Sequence, residues 1–285
     1  MKQDLKVTIY SANSVKSANA LSTGRQMIAD LISSNDLAYR LAKRDISAQY
    51  RQSILGYLWA FLIPLVNTLT WLFLQKSGMV VIRDTGIPYT VYVFSGTMLW
   101  QIFVEALQSP IQQVVAAKSM LAKLNFPRES IILSGIYKTI FNAGIKVIIL
   151  IPLVIYFGAH PTWTIVMFPF AVISIVLVGT AIGLLLSPIG TLYSDVGRVI
   201  PFFGQFLMFF APVVFAMPLS GVSKILFEIN FMTPLLITGR DLLIGGSLEW
   251  LFYFGCVNSV AIFALIAALV IYRVTMPILI ERMSS

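Results

Sequence analysis

Long apolar runs without any ionisable side chain dominate the pattern of this chain. A helix that crosses the hydrocarbon core of a bilayer needs about 20 apolar residues. The longest run lies between Lys146 and Asp195, is interrupted at His160-Pro161 and is long enough for two such helices. The other runs, each long enough for one helix, are 52–75, 85–104, 199–223 and 250–272.

These runs predict an all-α polytopic membrane protein with six transmembrane helices. The third span takes in residues upstream of Lys146, because the run after that lysine must also supply the fourth span. The predicted spans are 53–75, 87–107, 131–157, 163–187, 199–217 and 250–272.

The segment 218–249 is too interrupted by polar residues to cross a membrane. It contains Lys224 and Arg240, but also apolar clusters at 225–227 and 235–237. We interpret it as short re-entrant or interfacial helices between the fifth and sixth spans. A folded surface loop is the open alternative.

The distribution of lysine and arginine predicts which side each loop faces. With the N-terminus inside, ten of these residues flank the spans on the inner side and four lie in outer loops. Residues 1–50 hold no apolar core of a signal peptide, so we expect an uncleaved first span and two cytoplasmic termini. The inner residues are Arg40, Lys43, Arg44, Arg51, Lys118, Lys123, Arg128, Arg198, Arg273 and Arg282; the outer ones are Lys76, Arg83, Lys224 and Arg240.

Three regions flank or precede the six-span domain, which we place at 53–275. Residues 1–25 are polar and predict a flexible tail. Residues 26–52 alternate apolar and basic positions and predict an amphipathic helix on the cytoplasmic membrane surface, with a simple anchoring role as the alternative. Residues 276–285 are expected to form a cytoplasmic C-terminal tail.

The inner loop at about 109–129 predicts a short amphipathic helix below the membrane. Ser109 is a favourable N-cap and Pro110 suits the first helical position. Apolar residues then recur at helical spacing until Pro127, which ends the run. Such a helix could be gripped by a cytosolic motor, or it could be a plain connector.

Composition agrees with the membrane assignment. Hydrophobic residues make up 58% of the chain and charged residues 11%, against about 25% charged in soluble domains. This excludes an ordinary soluble globule and a disordered chain. The single cysteine and single histidine exclude an intramolecular disulfide and a Cys- or His-rich metal site. The net charge of +8 suits anionic lipid headgroups and does not require nucleic acid.

Several kinds of chemistry are missing from the sequence. The chain has no phosphate-binding Gly-x-x-x-x-Gly-Lys-[Ser/Thr] loop, no Gly-x-Ser-x-Gly and no His-Glu-x-x-His. Paired carboxylates within one span, which a proton-coupled carrier would use, are missing as well. We therefore expect no catalysis and no cofactor on this chain.

Aromatic residues are concentrated in two of the predicted spans. Their apolar faces can contact the C–H faces of sugars without holding a long glycan in one register, although ordinary helix packing and lipid contact would also explain them. The channel-lining candidates are Tyr57, Trp59, Phe61 and Trp71 in the first span, and Phe202, Phe203, Phe206, Phe209 and Phe210 in the fifth.

Lys146 lies deep within the third predicted span. A cation at that depth costs about 2.5–3.5 kcal/mol on insertion scales and cannot easily reach the headgroups. We therefore predict that Lys146 points away from lipid, toward a partner or a wet cavity.

Four stretches of the chain carry a family pattern. They are Arg44-Asp45 with Tyr50-Arg51-Gln52-Ser53, Leu55-Gly56, Leu58-Trp59 and Pro64; Pro88-Tyr89 with Ser95-Gly96 and Leu99-Trp100; Phe126-Pro127-Arg128-Glu129; and Ala211-Pro212-Val213 followed by Arg240. Together they resemble the membrane subunits of polysaccharide-exporting ABC transporters, the type-2 permeases for O-antigen, capsule or teichoic acid. Ser194-Asp195 and Thr233-Pro234 depart from the Arg-Asp and Asn-Pro pairs that this family often has.

The resemblance implies a mechanism. Two copies of this chain would form a channel, lined largely by the first and fifth spans, and would pair with two copies of a cytosolic ABC ATPase that binds ATP and Mg. The helix of 26–52 would act as a gate helix for a lipid-linked glycan. The basic candidates for its pyrophosphate are Arg40, Lys43, Arg44 and Arg51, and the candidates for coupling to the ATPase are Leu121, Leu124, Phe126, Pro127, Arg128 and Glu129.

Other functions remain open at this point. The same permease fold could export drugs or small lipids. A membrane-embedded lipid-processing enzyme would need reactive groups that this chain lacks, and a secondary carrier would need inverted repeats. The resemblance implies the inner membrane of a bacterium, but neither the glycan, nor its capping, nor the type of cell envelope follows from the sequence.

Overall fold

The computed structural model describes residues 29–51, 54–80, 83–123, 127–193 and 195–284. The secondary structure of these residues is helical, with no strand among them. Residues 29–33 form a first helical turn. The helices that follow are α1 (Asn35–Arg51), α2 (Trp59–Lys76), α3 (Tyr89–Ala116), α4 (Lys118–Lys123), α5 (Glu129–Tyr156), α6 (Phe168–Leu192), α7 (Asp195–Leu207), α8 (Gly221–Ile229), α9 (Met232–Ile244) and α10 (Leu251–Ser284). The predicted tail of 1–25 lies outside the described residues.

Four helices are long and apolar enough to cross a membrane. They cover Tyr89–Ala116, Glu129–Tyr156, Trp163–Leu192 and Leu251–Met276. Each overlaps one predicted span, the second, third, fourth and sixth. Their length and apolar character are those of an integral membrane protein.

Helix α3 lies at the centre of the fold and packs most extensively on α6, with α5, α2 and α7 around it. Small residues allow the two central backbones to approach closely. A Cβ added to Gly179 would lie 2.8 Å from the carbonyl oxygen of Phe103, and one added to Gly183 would collide with that of Leu107.

The structure corrects the predicted helix start at Ser109. Helix α3 continues through Ser109 and Pro110 to Ala116. Proline normally breaks a helix interior because its ring clashes with the preceding turn and its nitrogen cannot donate. Here both residues are buried, and the absent side chain of Gly183 leaves room for the ring: a Cβ there would lie 3.1 Å from Pro110 Cδ. The short inner helix is instead α4 (Lys118–Lys123).

The predicted fifth span is shorter than expected. Helix α7 ends at Leu207, and a 3-10 turn covers Met208–Phe210. A turn follows at 211–215, and the hydroxyl of Tyr92 lies within hydrogen-bond distance of the carbonyls of Pro212 (3.1 Å) and Phe215 (3.0 Å) in it. The segment 218–249 forms two short helices, α8 and α9, and their re-entrant or interfacial placement stays a prediction.

Candidate transport path and coupling elements

The aromatic residues of α2 and of the α7 region meet at one end of these two helices. The ring centroid of Trp71 lies 5.9 Å from that of Phe209 and 5.6 Å from that of Phe215, both edge to face. Such aromatic pairs add about 0.5–1.5 kcal/mol beyond burial. The sequence placed these rings in two spans, and the structure brings them together.

Most of the remaining aromatic candidates are exposed in a single copy of the chain. Phe202 is 72% exposed, and the rings of Trp59, Phe203, Phe206, Phe209 and Phe210 are also exposed. Phe61 and Trp71 are half-buried, and the side chain of Tyr57 lies outside the described set.

Helix α7 packs on α3 through the face opposite to its phenylalanines. Trp100 Nε1 donates to the carbonyl of Gly204 at 2.9 Å, and Val104 packs on the same glycine. The contact leaves the phenylalanine face of α7 open.

The four basic candidates lie on one exposed face of α1. Arg40 pairs with Asp36 at 2.9 Å and Arg44 with Asp45 at 2.8 Å. Both arginines keep most of their side chains exposed, 75% for Arg40 and 63% for Arg44. Ion pairs at the surface contribute little to stability, about 0–1 kcal/mol, so the arginines are available to a ligand. Lys43 and Arg51 are exposed on the same face. The opposite face of α1, with Ala38 and Ala42 fully buried, contacts α5.

The coupling candidates divide between surface and interior. Leu121 of α4 is buried in an inner apolar cluster with Ile131, Leu184 and Tyr272. Glu129 is buried as well, and Pro127 and Arg128 are half-buried. Leu124 and Phe126 lie outside the described residues. The role of all six in docking an ATPase stays a prediction.

An ionic clamp, defined here as Arg273, Asp30 and Glu129, joins three segments of the chain. Arg273 Nη2 donates to Asp30 Oδ2 at 2.6 Å, and its Nη1 lies 3.5 Å from Glu129 Oε1. The neighbouring Tyr272 hydroxyl donates to the carbonyl of Arg128 at 3.4 Å. The C-terminal part of α10 is thereby tied to Asp30 and to the start of α5.

Arg240 is buried among backbone carbonyls. Its Nη2 donates to the carbonyls of Val213 (2.9 Å) and Tyr92 (3.2 Å), and its Nε to Ser95 Oγ at 3.3 Å. Burial lowers the pKa of this guanidinium, and the nearby Tyr92 and Asp241 oppose the shift. The family pattern in the sequence included Arg240 but did not indicate these contacts.

A cavity of about 450 Å³ with a mixed polar and apolar lining contains Arg240 in its wall. Arg83, Asp84, Tyr92 and Asp241 contribute to its lining. Burial raises the pKa of the Asp241 carboxyl, while the backbone N–H of Leu248, 3.1 Å from Oδ2, opposes that rise.

Lys146 is paired inside the protein, as its depth predicted. Its Nζ lies 2.5 Å from Glu105 Oε2, and Asn142 Nδ2 donates to Glu105 Oε1. The side chain of Lys146 is 9% exposed and that of Glu105 31%. Sequence reasoning identified the cation but not its partner 41 residues away.

The described residues contain no group of three or more His, Cys, Asp and Glu side chains that could hold a metal ion.

Comparison with known proteins decides the family, because residues 37–243 match the ABC-2 type transporter family. This chain belongs to the ABC-2 type transporter family. The match covers α1 to most of α9, and therefore includes the basic face of α1, helix α4 and the aromatic helices of this ABC-2 transporter chain.

Two relatives of this ABC-2 transporter chain carry the same name. It is 26% identical over 148 residues to the O-antigen export system permease protein RfbA of Myxococcus xanthus, covering 52% of this chain and 56% of that protein. It is 30% identical over 123 residues to a protein of that name from Klebsiella pneumoniae, covering 43% and 44%. The chain thus spans about half the length of the curated relatives it matches.

Proposed function

We propose that this chain is the membrane subunit of an ATP-driven exporter that moves a lipid-linked polysaccharide, such as O-antigen, capsule or teichoic acid, across the bacterial cytoplasmic membrane. Two copies form the channel and associate with two copies of a separate ABC ATPase, which binds ATP and Mg. The observation that carries the proposal is the joined aromatic surface of α2 and α7. The names of the relatives support the choice of cargo.

The proposed topology has six spans, with both termini in the cytoplasm. Helix α2, 18 residues long, reaches about 27 Å at 1.5 Å per residue. Helix α7 and its 3-10 continuation cover 195–210 and reach about 24 Å, enough to cross most of the hydrocarbon core. Helices α8 and α9 then lie at the outer surface or re-enter the membrane from it.

A twofold dimer gives the exposed aromatic rings a function. The described part of one copy presents Phe202, Phe203 and Phe206 outward, and a second copy related by a twofold axis would present the same surface from the other side. Rings without fixed hydrogen-bond partners let a polymer slide.

Residues at the cytoplasmic side recognise the lipid carrier and couple transport to the ATPase. The exposed basic face of α1 suits the pyrophosphate of a lipid carrier, because guanidinium groups bind such oxygens in a bidentate manner. Helix α4 follows α3 directly at the inner end and is our candidate for the coupling helix that contacts the ATPase.

One observation favours a second candidate function, the export of a small lipid or drug. An apolar groove of about 590 Å³ lies between the start of α2 and α5, lined by Leu55, Phe61, Ile149 and Pro152 among others. An acyl chain would fit this groove, whether as the whole cargo or as part of a lipid-linked glycan.

Deletion of the gene tests the proposed function. We expect cells without this chain to lose surface glycan and to accumulate lipid-linked glycan inside, measured by immunoblotting of surface polysaccharide and extraction of the membrane lipids. We also expect the tagged chain to copurify with an ATPase subunit. Unchanged surface glycan together with altered export of lipid or drug would favour the second candidate and reject the first.

A further inference from the structure

A line of polar side chains runs along the membrane-spanning helix α3. Gln101, Glu105, Gln108 and Gln112 follow one another at intervals of four, three and four residues, which places them on one helical face. Gln112 is exposed, and the other three are half-buried. At 1.5 Å per residue the line is about 16 Å long. We name these four residues the α3 polar stripe.

Helices α7 and α5 border this face, and α2 packs on α3 as well, so that three of the four side chains are half-buried and Gln112 is exposed. On one side of the stripe, Val104 packs against Gly204 of α7. On the other side, Ser109 and Gln113 pack against Gly135 of α5. The stripe therefore faces the groove between α5 and α7, beside the helix that carries the phenylalanine surface.

The centre of the stripe holds an accessible carboxylate. Lys146 and Asn142 approach Glu105 from α5, and Lys146 is almost fully buried while Glu105 keeps 31% of its side chain exposed. Hydrocarbon offers no hydrogen bonds to a carboxylate or an amide, so exposure of this kind within a span is costly against lipid. In the assembled transporter, the stripe therefore needs water, a polar ligand or a polar protein surface beside it.

The chemistry of the stripe selects the ligand class. The lysine at 2.5 Å neutralises the carboxylate, so the cluster has no net charge to attract an ion. The remaining members are primary amides, which donate and accept hydrogen bonds alike. Two of them already bond to each other, because Gln112 Nε2 donates to Gln108 Oε1 at 2.8 Å. A neutral chain of hydroxyl groups, each also a donor and an acceptor, matches such a row.

We propose that the α3 polar stripe is a saccharide-binding track in the translocation path, with Gln108 contacting sugar hydroxyl groups and Lys146 positioning Glu105. This inference rests on the proposed function and adds a binding site on a third helix. The exposed end at Gln112 lies toward the inner end of α3, where the glycan enters. Polar contacts on α3 would orient the sugars while the aromatic rings of α7 let them pass.

Cysteine labelling tests whether the α3 polar stripe is accessible to water. The single native cysteine is exposed, so Cys256→Ala provides a background into which Gln108→Cys and Gln112→Cys are introduced. A charged, membrane-impermeant methanethiosulfonate reagent is applied to inside-out vesicles that contain the complete transporter. The matched control is Ile140→Cys, which lies at a similar distance from the same end of the helices and is 45% exposed on α5.

We expect both stripe cysteines to react at least about tenfold faster than the control. We further compare two vesicle preparations. One comes from cells with a catalytically inactive ATPase, which accumulate lipid-linked glycan, and the other from cells that cannot synthesise the glycan. We expect slower labelling in the first preparation. Equal labelling in the two preparations would reject saccharide binding. Stripe cysteines as inert as the control, or a Gln108→Cys disulfide between two copies, would show a lipid-facing or protein-covered stripe and overturn the inference.

A second measurement separates binding from folding. Gln108→Leu should reduce glycan export severalfold, up to about tenfold, because one hydrogen bond is lost. The yield of the folded complex should stay normal. Gln108→Asn should recover part of the export. A merely structural stripe would lower the yield of folded complex and leave export per complex unchanged. The proposed function fails by a different result, namely surface glycan that does not depend on the chain at all.

Discussion

The guanidinium carbon of Arg240 lies 3.7 Å from the centre of the Tyr92 ring. The same arginine donates to the carbonyl of Val213, immediately after Pro212 in the turn that follows the α7 region. The hydroxyl of Tyr92 holds this turn through the carbonyls of Pro212 and Phe215. These two side chains therefore join α3, α9 and the end of the aromatic helix.

Replacement of Arg240 should loosen this junction. Arg240→Leu leaves the buried carbonyl of Val213 without its donor, and each such group costs about 1–3 kcal/mol. We expect a clear fall in the midpoint of thermal unfolding in detergent, followed by size-exclusion chromatography after heating. Arg83→Leu, an exposed arginine at the same cavity, is the matched control. Equal midpoints for the two variants would contradict a structural role for Arg240.

The ionic clamp predicts uncoupling rather than unfolding. Arg273→Gln should release α10 from Asp30 and Glu129, because the amide has no charge to hold the two carboxylates. We expect ATP hydrolysis by the purified complex to persist while glycan export falls. Thr275→Ala lies on the same helix, and its hydroxyl bonds only to the backbone of that helix, so it should keep both activities. Parallel loss of hydrolysis and export in Arg273→Gln would refute the clamp as a coupling element.

Two glycines of the long helices should differ sharply in whether they tolerate replacement by alanine. Gly183→Ala would drive a Cβ into the backbone of Leu107, so the two central helices must separate. We expect a loss of folded protein, read from a C-terminal fluorescent fusion by detergent chromatography. Gly144→Ala meets nothing within 4 Å and should be neutral or stabilising by up to about 1 kcal/mol. Similar yields for the two variants would show that α3 and α6 do not pack this closely.

The phenylalanine face of α7 predicts a dependence on aromatic character. Phe206→Ala should reduce glycan export, whereas Phe206→Tyr should keep most of it, because the apolar ring face is retained. Phe170→Ala on α6 is the control, since that ring is 62% exposed and Phe206 56%. Export per folded complex is the quantity to compare. If the alanine variants of both positions export equally well, α7 does not line the path.

Much of the architecture followed from the sequence. The four long helices overlap the predicted spans, because an uncharged run of about 20 residues is favoured as a membrane-crossing helix. The two short helices after α7 contain the apolar clusters from which they were predicted. The predicted helix start at Ser109 was wrong, since its cap and proline signals are local. A distant residue, Gly183, makes room for Pro110 inside α3.

Pairings between distant residues could not be predicted in the same way. The burial of Lys146 followed from its depth, yet several acidic residues could have been its partner, and only the antiparallel packing of α3 and α5 selects Glu105. The buried position of Leu121 is a second example, because an apolar residue in an inner loop fits a docking surface as well as a core.

The sequence by itself determined that this is a helical membrane protein and where most of its spans lie, because bilayer crossing depends on the local length and polarity of each segment. Its motifs also determined which family it resembles. Only the tertiary structure decided that Trp71 meets Phe209, that Arg240 holds the turn after α7 and that four polar residues of α3 face one groove. Such relationships arise from helix packing, which joins side chains separated by up to 243 positions in the chain, as in Arg273 and Asp30.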